Sequence, residues 1–295
     1  MKTLLKRSMT VLLITAILVL GLIQAGIVYA DDSDAGVGAL LDSLKNAAAS
    51  AELPNGKEIY NLLLIGVDRQ DDSWNGNSDC MLLVSVNKTS QTVHLMSFMR
   101  DLGVEVPGYG TNKLNYACAV GGPDLVVETI EQNFGVDIDA YAWTDFTSMA
   151  EVIDDLGGLT LEISDAEAER MGLSEGGTVD CNGDQVVLYA RIRAVGNNDY
   201  ERTERQRTVL LKIKEKLEGL STADAAAFFA KALQVVKHNL SAADLLQLTT
   251  LLPSMLDYEF VTSRVPYDGM YTGSGEMLMP TQPDTNDAIA AELER

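Results

Sequence analysis

Ile59-Tyr-Asn-Leu-Leu-Leu-Ile-Gly-Val67 is a nearly continuous apolar run. That pattern suits a strand buried on both faces, as the inner strands of α/β sheets are, rather than a strand with one wet face. It stops at Asp68-Arg69. A polar loop from Gln70 to Ser78 follows, then Asp79 stands directly before a second apolar run, Cys80 to Val86. Asn87 to Gln91 reads as a turn and Thr92 to Met99 as the partner strand of a hairpin, closed by Arg100-Asp101.

Further strands are expected at Gly103–Val106, Ala140–Trp143, Leu159–Ile163 and Glu259–Val265. Between them lie helical signals. Pro123 at a first helical position and Gly135 as a stop bracket one helix, and Gly157-Gly158 ends another that begins near Thr147. Gln185–Tyr189 reads as a short helix. A longer one covers Glu201–Leu217, followed by amphipathic helices at Ala223–Val236 and Ser241–Leu252. Strands interspersed with helices predict an α/β fold: a three-layer αβα domain with a central mixed β-sheet. Residues 57–270 carry no Pro/Gly/Ser-rich linker and are expected to form one domain. A tail, 271–295, packs on or trails it, with a short acidic helix at Asp287–Glu294.

The first residues read separately. Lys2, Lys6 and Arg7 precede the apolar stretch 9–30, long enough to span a bilayer. The positive flank predicts residues 1–8 as a cytoplasmic stub, 9–30 as a single-pass transmembrane helix, 31–56 as a linker, and an extracytoplasmic domain. A cleaved signal peptide ending at Val28-Tyr29-Ala30 is the alternative. The formal net charge of -21 argues against a nucleic-acid partner. Cys80, Cys118 and Cys181 are odd in number and match no zinc spacing, and His94 and His238 are isolated, which speaks against triad chemistry.

Against that acidity, Tyr189-Ala-Arg-Ile-Arg-Ala-Val-Gly-Asn-Asn-Asp-Tyr-Glu-Arg-Thr-Glu-Arg-Gln-Arg207 gathers Arg191, Arg193, Arg202, Arg205 and Arg207. Guanidinium groups are always ionised and fork-shaped, suited to phosphate or carboxylate. Stepping back along the apolar stripe Leu217, Ile213, Val209 lands on Gln206 and Arg202. Those two therefore face inward near a helix N-terminus, where an anion is favoured. If Arg191 to Arg193 is extended, both arginines point to one face. Arg205 and Arg207 are expected to be exposed and paired with acids. A purely structural salt-bridge network is the competing reading of the whole cluster.

Asp68 and Asp79 each stand where a polar loop meets an apolar strand. If the strands are neighbours, the two carboxylates meet at one sheet end, an arrangement suited to Mg²⁺ (or Mn²⁺) completed by water and phosphate. Metal plus arginines implies a polyanion.

The residues that carry this chemistry resemble the LytR-CpsA-Psr family of bacterial cell-envelope glycopolymer transferases, in motif order over residues 59 to about 270. Leu64-Ile-Gly-Val-Asp68-Arg69, Ser78-Asp79-Cys80-Met81, Ser97-Phe-Met-Arg100-Asp101, Lys113-Leu-Asn115 through Gly121-Gly122-Pro123, Asp155-Leu-Gly-Gly-Leu159, Tyr189-Ala-Arg-Ile-Arg193 and Arg202-Thr-Glu-Arg-Gln206 are similar to the family's segments. Cys80 and Met99 depart from it without removing a charged group, whereas Asn77 stands where the family frequently has arginine, a change that weakens one polar contact near the expected metal. The resemblance implies a membrane-bound domain that moves a glycopolymer from a polyprenyl-pyrophosphate carrier to peptidoglycan through a phosphodiester. It also implies metal on Asp68 and Asp79, with pyrophosphate on Arg100, Arg191, Arg193, Arg202 and Gln206; Lys113 is a further phosphate contact. Asp199 and Asp101 are candidates for taking the proton of the attacking hydroxyl, Asp199 ranked first. Leu125, Val126, Ile130, Val209, Leu210 and Ile213 are candidates for lining a lipid groove. The alternatives in function are an envelope regulator that only binds polyprenyl phosphate and a lipid pyrophosphatase without glycan transfer.

Overall fold

The computed structural model describes residues 52–69, 74–196, 199–218, 236–241, 243–244, 247–248 and 258–295. The expected membrane helix over 9–30, most of the expected linker, and nearly all of the helix expected at Ala223–Val236 lie outside them; the helix expected at Ser241–Leu252 is described only at 241, 243–244 and 247–248, the last two pairs being helical. Among the described residues no helix is long and apolar enough to cross a membrane.

In chain order come β1 (Ile59–Val67), β2 (Ser78–Asn87), β3 (Thr92–Phe98), β4 (Gly103–Val106) and β5 (Gly110–Lys113). Then follow α1 (Leu114–Phe134), β6 (Ala140–Asp145), α2 (Phe146–Asp155), β7 (Leu159–Ile163), α3 (Asp165–Met171), β8 (Gly177–Cys181), α4 (Gly183–Arg191) and α5 (Asp199–Glu218). The rest is β9 (Lys237–His238), β10 (Glu259–Val265), β11 (Tyr271–Ser274), β12 (Met277–Pro280) and α6 (Asp284–Leu293). The central sheet runs β10-β3-β2-β1-β6-β9. It is mixed: β1 pairs antiparallel with β2 and parallel with β6, and β3 pairs parallel with β10.

The apolar run of β1 is buried on both sides because the sheet separates two cores. Leu63, Ile65 and Val67 join Met81, Leu83, Met96 and Phe98 against Val126, Ile130 and Phe134 of α1 and Ile289 and Leu293 of α6. On the other face Leu82, Val86, Val93 and Leu95 pack with Leu62 and Leu64, and Leu210 of α5 lies against them. Residues 271–295 are thus tied to the sheet rather than trailing from it. Asn87 Nδ2 donates to the Leu293 carbonyl at 3.0 Å, which anchors the end of α6.

Two expectations change in detail. α1 begins at Leu114, not at Pro123; Gly122, at φ 69°, breaks it into two pieces, and Pro123 opens the second. That left-handed backbone is one only glycine adopts cheaply. The strand expected at Leu159–Ile163 forms, but outside the central sheet, paired with β8 alone. Its alternating burial explains why: only Leu159, Leu161 and Ile163 are covered, and they face a separate core shared by α2, α3 and α4. A one-sided strand has no second helical layer to meet.

Candidate active site

β1 ends, β2 begins and β3 ends at one edge of the sheet, which brings Asp68, Asp79 and Arg100 to neighbouring positions. The ladder between β1 and β2 pairs Gly66 with Cys80 and Val67 with Ser78, skipping Asp79. Asp79 is therefore the extra residue of a β-bulge, a device that turns a side chain out of the regular alternation. A glycine inside an otherwise apolar strand, Gly66, is the sequence signal that accompanies such a bulge.

The turned-out carboxylate meets three arginines from three elements. Arg100 Nη1 lies 2.7 Å from Asp79 Oδ1, Arg202 Nη1 3.5 Å from the same oxygen, and Arg193 Nη2 3.4 Å from Asp79 Oδ2. Asp199, first residue of α5, faces the same three: 2.9 Å to Arg202 Nη2, 3.4 Å to Arg100 Nε and 3.9 Å to Arg193 Nε. Gln206, one turn further along α5 than Arg202, donates from Nε2 to the Asp79 carbonyl at 3.3 Å. Three guanidiniums thus share two carboxylates, with Asp101 and Lys113 at the margin of the cluster.

Burial acts on these charges. Arg202 is 1 % exposed, and burial lowers its guanidinium pKa, with Arg100 and Arg193 pushing the same way against Asp199 and Asp79. For Arg100 burial also acts downward, but the hydrogen bond to Asp79 and the charges of Asp199, Asp79 and Asp101 outweigh it and leave the pKa raised. Both groups stay charged at any physiological pH. The buried Nε atoms of Arg100 and Arg202 have no hydrogen-bond partner. Arg100 Nε keeps only the long ionic approaches to Asp199 and Asp101, and donors on charged groups left so poorly satisfied favour an incoming anion.

Lys113 stands beside the cluster, 3.3 Å from Asp101 and 3.0 Å from Glu276 of the loop between β11 and β12. Asp101 in turn lies 3.7 Å from Arg100 Nε. Arg191 stands apart. It ends α4 instead of continuing an extended segment to Arg193, so the two do not share a face, and its guanidinium lies over the Phe146 ring at 4.5 Å. The expectation of exposure for Arg205 and Arg207 also fails. Arg205 is buried, with Glu167 and Glu201 as its acids, and Arg207 is partly buried and donates to Ser97 Oγ at 3.0 Å. Helical spacing placed acids near both arginines but carried no information on the lobe that packs over α5.

Next to the charged cluster, on the α5 face of the sheet, lies an apolar cavity of about 190 Å³. Gly66, Cys80 and Gln206 line it at the cluster side, and Trp143, Phe146, Val209, Leu210 and Ile213 form much of its wall. Of the six residues expected to line a lipid groove, Val209, Leu210 and Ile213 line this cavity. Val126 and Ile130 fill the core on the opposite face, with Leu125 packed against it. The sheet itself separates the two sets. Burial pushes the Cys80 thiol in this wall up to about 11, so it behaves as a small apolar group.

Asp68 accepts from Asn77 N at 2.6 Å and Asn77 Nδ2 at 3.3 Å and keeps lone pairs free. Among the described residues no group of three or more His, Cys, Asp or Glu forms a metal cage. Two carboxylates beside an anion site nevertheless fit Mg²⁺, which takes few protein ligands and completes its shell with water and phosphate.

The chain is 31% identical over 219 residues to Biofilm regulatory protein A of Streptococcus mutans, covering 68% of this chain and 53% of that protein. It is 29% identical over 223 residues to the polyisoprenyl-teichoic acid–peptidoglycan teichoic acid transferase TagT of Bacillus subtilis, covering 71% of this chain and 69% of TagT. Against the first of these the chain spans about half the relative's length. A solved structure of TagT with bound octaprenyl pyrophosphate lipid superposes with a TM-score of 0.62 at 25% identity, covering 82% of this chain and 92% of that one. The LytR_cpsA_psr family model matches residues 33–294, a span that holds the bulged Asp79, all three arginines and the cavity. On sequence and fold together, the chain belongs to the LytR-CpsA-Psr family.

Proposed function

We propose that this protein is a phosphotransferase that moves a glycopolymer from a polyprenyl-pyrophosphate carrier to peptidoglycan, working on the outer face of a bacterial membrane. The observation that carries the reading is the contiguity of charge and oil: the arginine cluster and the apolar cavity share Gln206 and meet across Gly66 and Cys80. A pyrophosphate ester of a long isoprenoid has that dual character. The relative TagT, named for teichoic acid transfer, and its octaprenyl-pyrophosphate complex support the same substrate class.

In this reading Arg100, Arg193 and Arg202 hold the pyrophosphate, Gln206 and Lys113 flank it, and Val209, Leu210 and Ile213 receive the first isoprene units. An acceptor hydroxyl oxygen bonds to the phosphorus that carries the glycan. The bond from that phosphorus to the bridging oxygen breaks, and polyprenyl phosphate leaves. Charge grows on the bridging oxygen as this happens, and the orphaned Nε donors of Arg100 and Arg202 are fixed in advance to meet it. Asp199 is the proposed acceptor of the hydroxyl proton, because it sits inside the arginine cluster whereas Asp101 is turned toward Lys113. Asp68 and Asp79 would hold Mg²⁺ or Mn²⁺, and the chemistry such an ion supplies when bound is neutralisation of phosphate-oxygen charge.

The test is product analysis with a polyprenyl-pyrophosphate-linked glycan, with and without peptidoglycan, and with EDTA or added Mg²⁺. Glycan joined to peptidoglycan by phosphodiester, lost on chelation and restored by Mg²⁺, is the expected result. Release of polyprenyl phosphate to water at the same rate without acceptor would make the protein a pyrophosphatase. Binding without turnover would make it a lipid-sensing regulator.

A further inference from the structure

Arg193 is the most exposed member of the arginine cluster, its side chain 45% accessible, and it rides on a segment without regular secondary structure. Something must hold that segment for Arg193 to reach Asp79 from it. The holder is a guanidinium beneath it. Arg205 Nη1 donates to the Ile192 carbonyl at 3.0 Å and Nη2 to the Val195 carbonyl at 3.2 Å, so one planar group fastens the backbone on both sides of Arg193. Arg205 is itself pinned from the opposite side: its Nε donates to Glu167 Oε1 at 2.6 Å and its Nη2 to Glu201 Oε2 at 3.3 Å.

Glu167 is a firm anchor because it belongs to a capping box, taking hydrogen bonds from the Ser164 N–H and Oγ at 2.8 Å. Gly196, at φ 76°, passes so close to Glu201 that an added Cβ would sit 1.5 Å from its carboxylate. The segment 192–196 is thus wrapped onto the buried Arg205 and its partly buried acids Glu167 and Glu201, a group that touches none of the cluster's own carboxylates.

We propose that Arg205 is a positioning residue for the transfer reaction, acting only through the backbone of 192–196 to aim Arg193 at the pyrophosphate. This rests on the function proposed above for the identity of the anion, but the holding of the segment does not. Lysine at 205 keeps the charge and cannot form the fork, because an ammonium lacks the planar array that spans two carbonyls and a carboxylate.

Two measurements on the full chain in detergent test the idea. The first is amide hydrogen exchange of residues 192–196 in wild type, Arg205→Lys and Glu167→Gln. The second is calorimetric binding of inorganic pyrophosphate by wild type, Arg193→Ala, Arg205→Lys and the double variant. Arg205→Lys should raise exchange of those amides at least about tenfold and weaken pyrophosphate about tenfold, as loss of one charge-assisted contact does. The double variant should bind no more weakly than Arg193→Ala alone, the mark of two residues acting through one contact. Glu167→Gln should raise the exchange of the same amides by less, which keeps the test usable if lysine at 205 impairs folding. Wild-type exchange in both Arg205→Lys and Glu167→Gln, or additive losses in the double variant, overturns the proposal. Failure of the wild type to bind pyrophosphate would instead overturn the anion's identity, and the exchange arm would still decide on the positioning.

Discussion

Arg100 Nη1 meets Asp79 Oδ1 at 2.7 Å, linking the second residue after β3 to the bulged residue of β2 across 21 positions of sequence. The pair holds both groups at the sheet edge, and it also makes Asp79 a competitor for the cation that an anionic substrate needs. Replacing Asp79 by Asn keeps the shape and removes that competition. Asp79→Asn should bind inorganic pyrophosphate about tenfold more tightly in EDTA, since a charge a few ångströms away is worth on the order of 1 kcal/mol even near water. Its Mg²⁺-stimulated transfer should collapse. Weaker pyrophosphate binding in calorimetry would count against an anion held by these arginines.

Arg202 combines near-complete burial with an unpartnered Nε. Arg202→Ala should lower transfer about 10²- to 10³-fold, the usual cost of losing one donor aimed at developing charge. It also leaves Asp199 and Asp79 facing each other with less compensation, a change worth about 3 kcal/mol of stability. Thermal unfolding with and without pyrophosphate separates the two effects, because the ligand should raise the wild-type Tm and leave that of the variant unmoved.

The cavity offers a test that spares the charges. Ile213→Trp places a large ring among Val209, Leu210 and Phe146. It should abolish binding of octaprenyl pyrophosphate, while inorganic pyrophosphate binds within about twofold of wild type because no charged group is touched. Equal loss of both ligands would show that the cavity does not house the lipid.

Acid stability follows from two carboxyls. Burial works to raise the Glu167 pKa, but hydrogen bonds from Ser164 and Arg205 outweigh it and hold the group below its ordinary 4.5. Asp145 is likewise held below 3.8: burial opposes the shift, and Ser148 and Arg69 prevail. A carboxyl depressed in the folded state contributes stability above its unfolded value and loses it as pH falls through the folded one. Chemical denaturation should therefore show a plateau above about pH 5 and a decline below it, and Glu167→Gln should flatten the start of that decline.

Gly183 opens α4 where that helix crosses α2, and a Cβ there would sit 2.0 Å from the Ala150 carbonyl oxygen. Gly183→Ala should cost about 2 kcal/mol, typical of forced overpacking, read as a drop in denaturation midpoint with an unchanged m-value. An unchanged midpoint would mean that the crossing relaxes freely.

Much of this site could be read from residue order. Asp68, Asp79 and Arg100 follow or precede apolar runs, and a strand's end is visible wherever hydrophobicity stops. Arg202 and Gln206 are inward because they sit on the stripe of Val209 and Ile213, a periodicity that survives without knowing what α5 packs against. Arg191 misled because a two-residue spacing implies a shared face only if the backbone is extended, and α4 runs on through it. Arg205 was misplaced for a different reason. Acids at helical spacing suggest a solvated pair, whereas its main partner, Glu167, comes from 38 residues away.

By itself the sequence determined that β1 is buried on both faces, that a mixed sheet carries acids and arginines at its edge, and that α5 turns Arg202 inward. Each follows from local periodicity and from where apolar runs stop. Only the tertiary structure decided that the bulge at Asp79 gathers three arginines, that the apolar cavity lies on the α5 side of the sheet rather than the α1 side, and that Arg205 is buried beneath the segment 192–196. Those outcomes depend on which distant elements meet, and the free energy of burying a charge or leaving a cavity is set by neighbours far away in the chain.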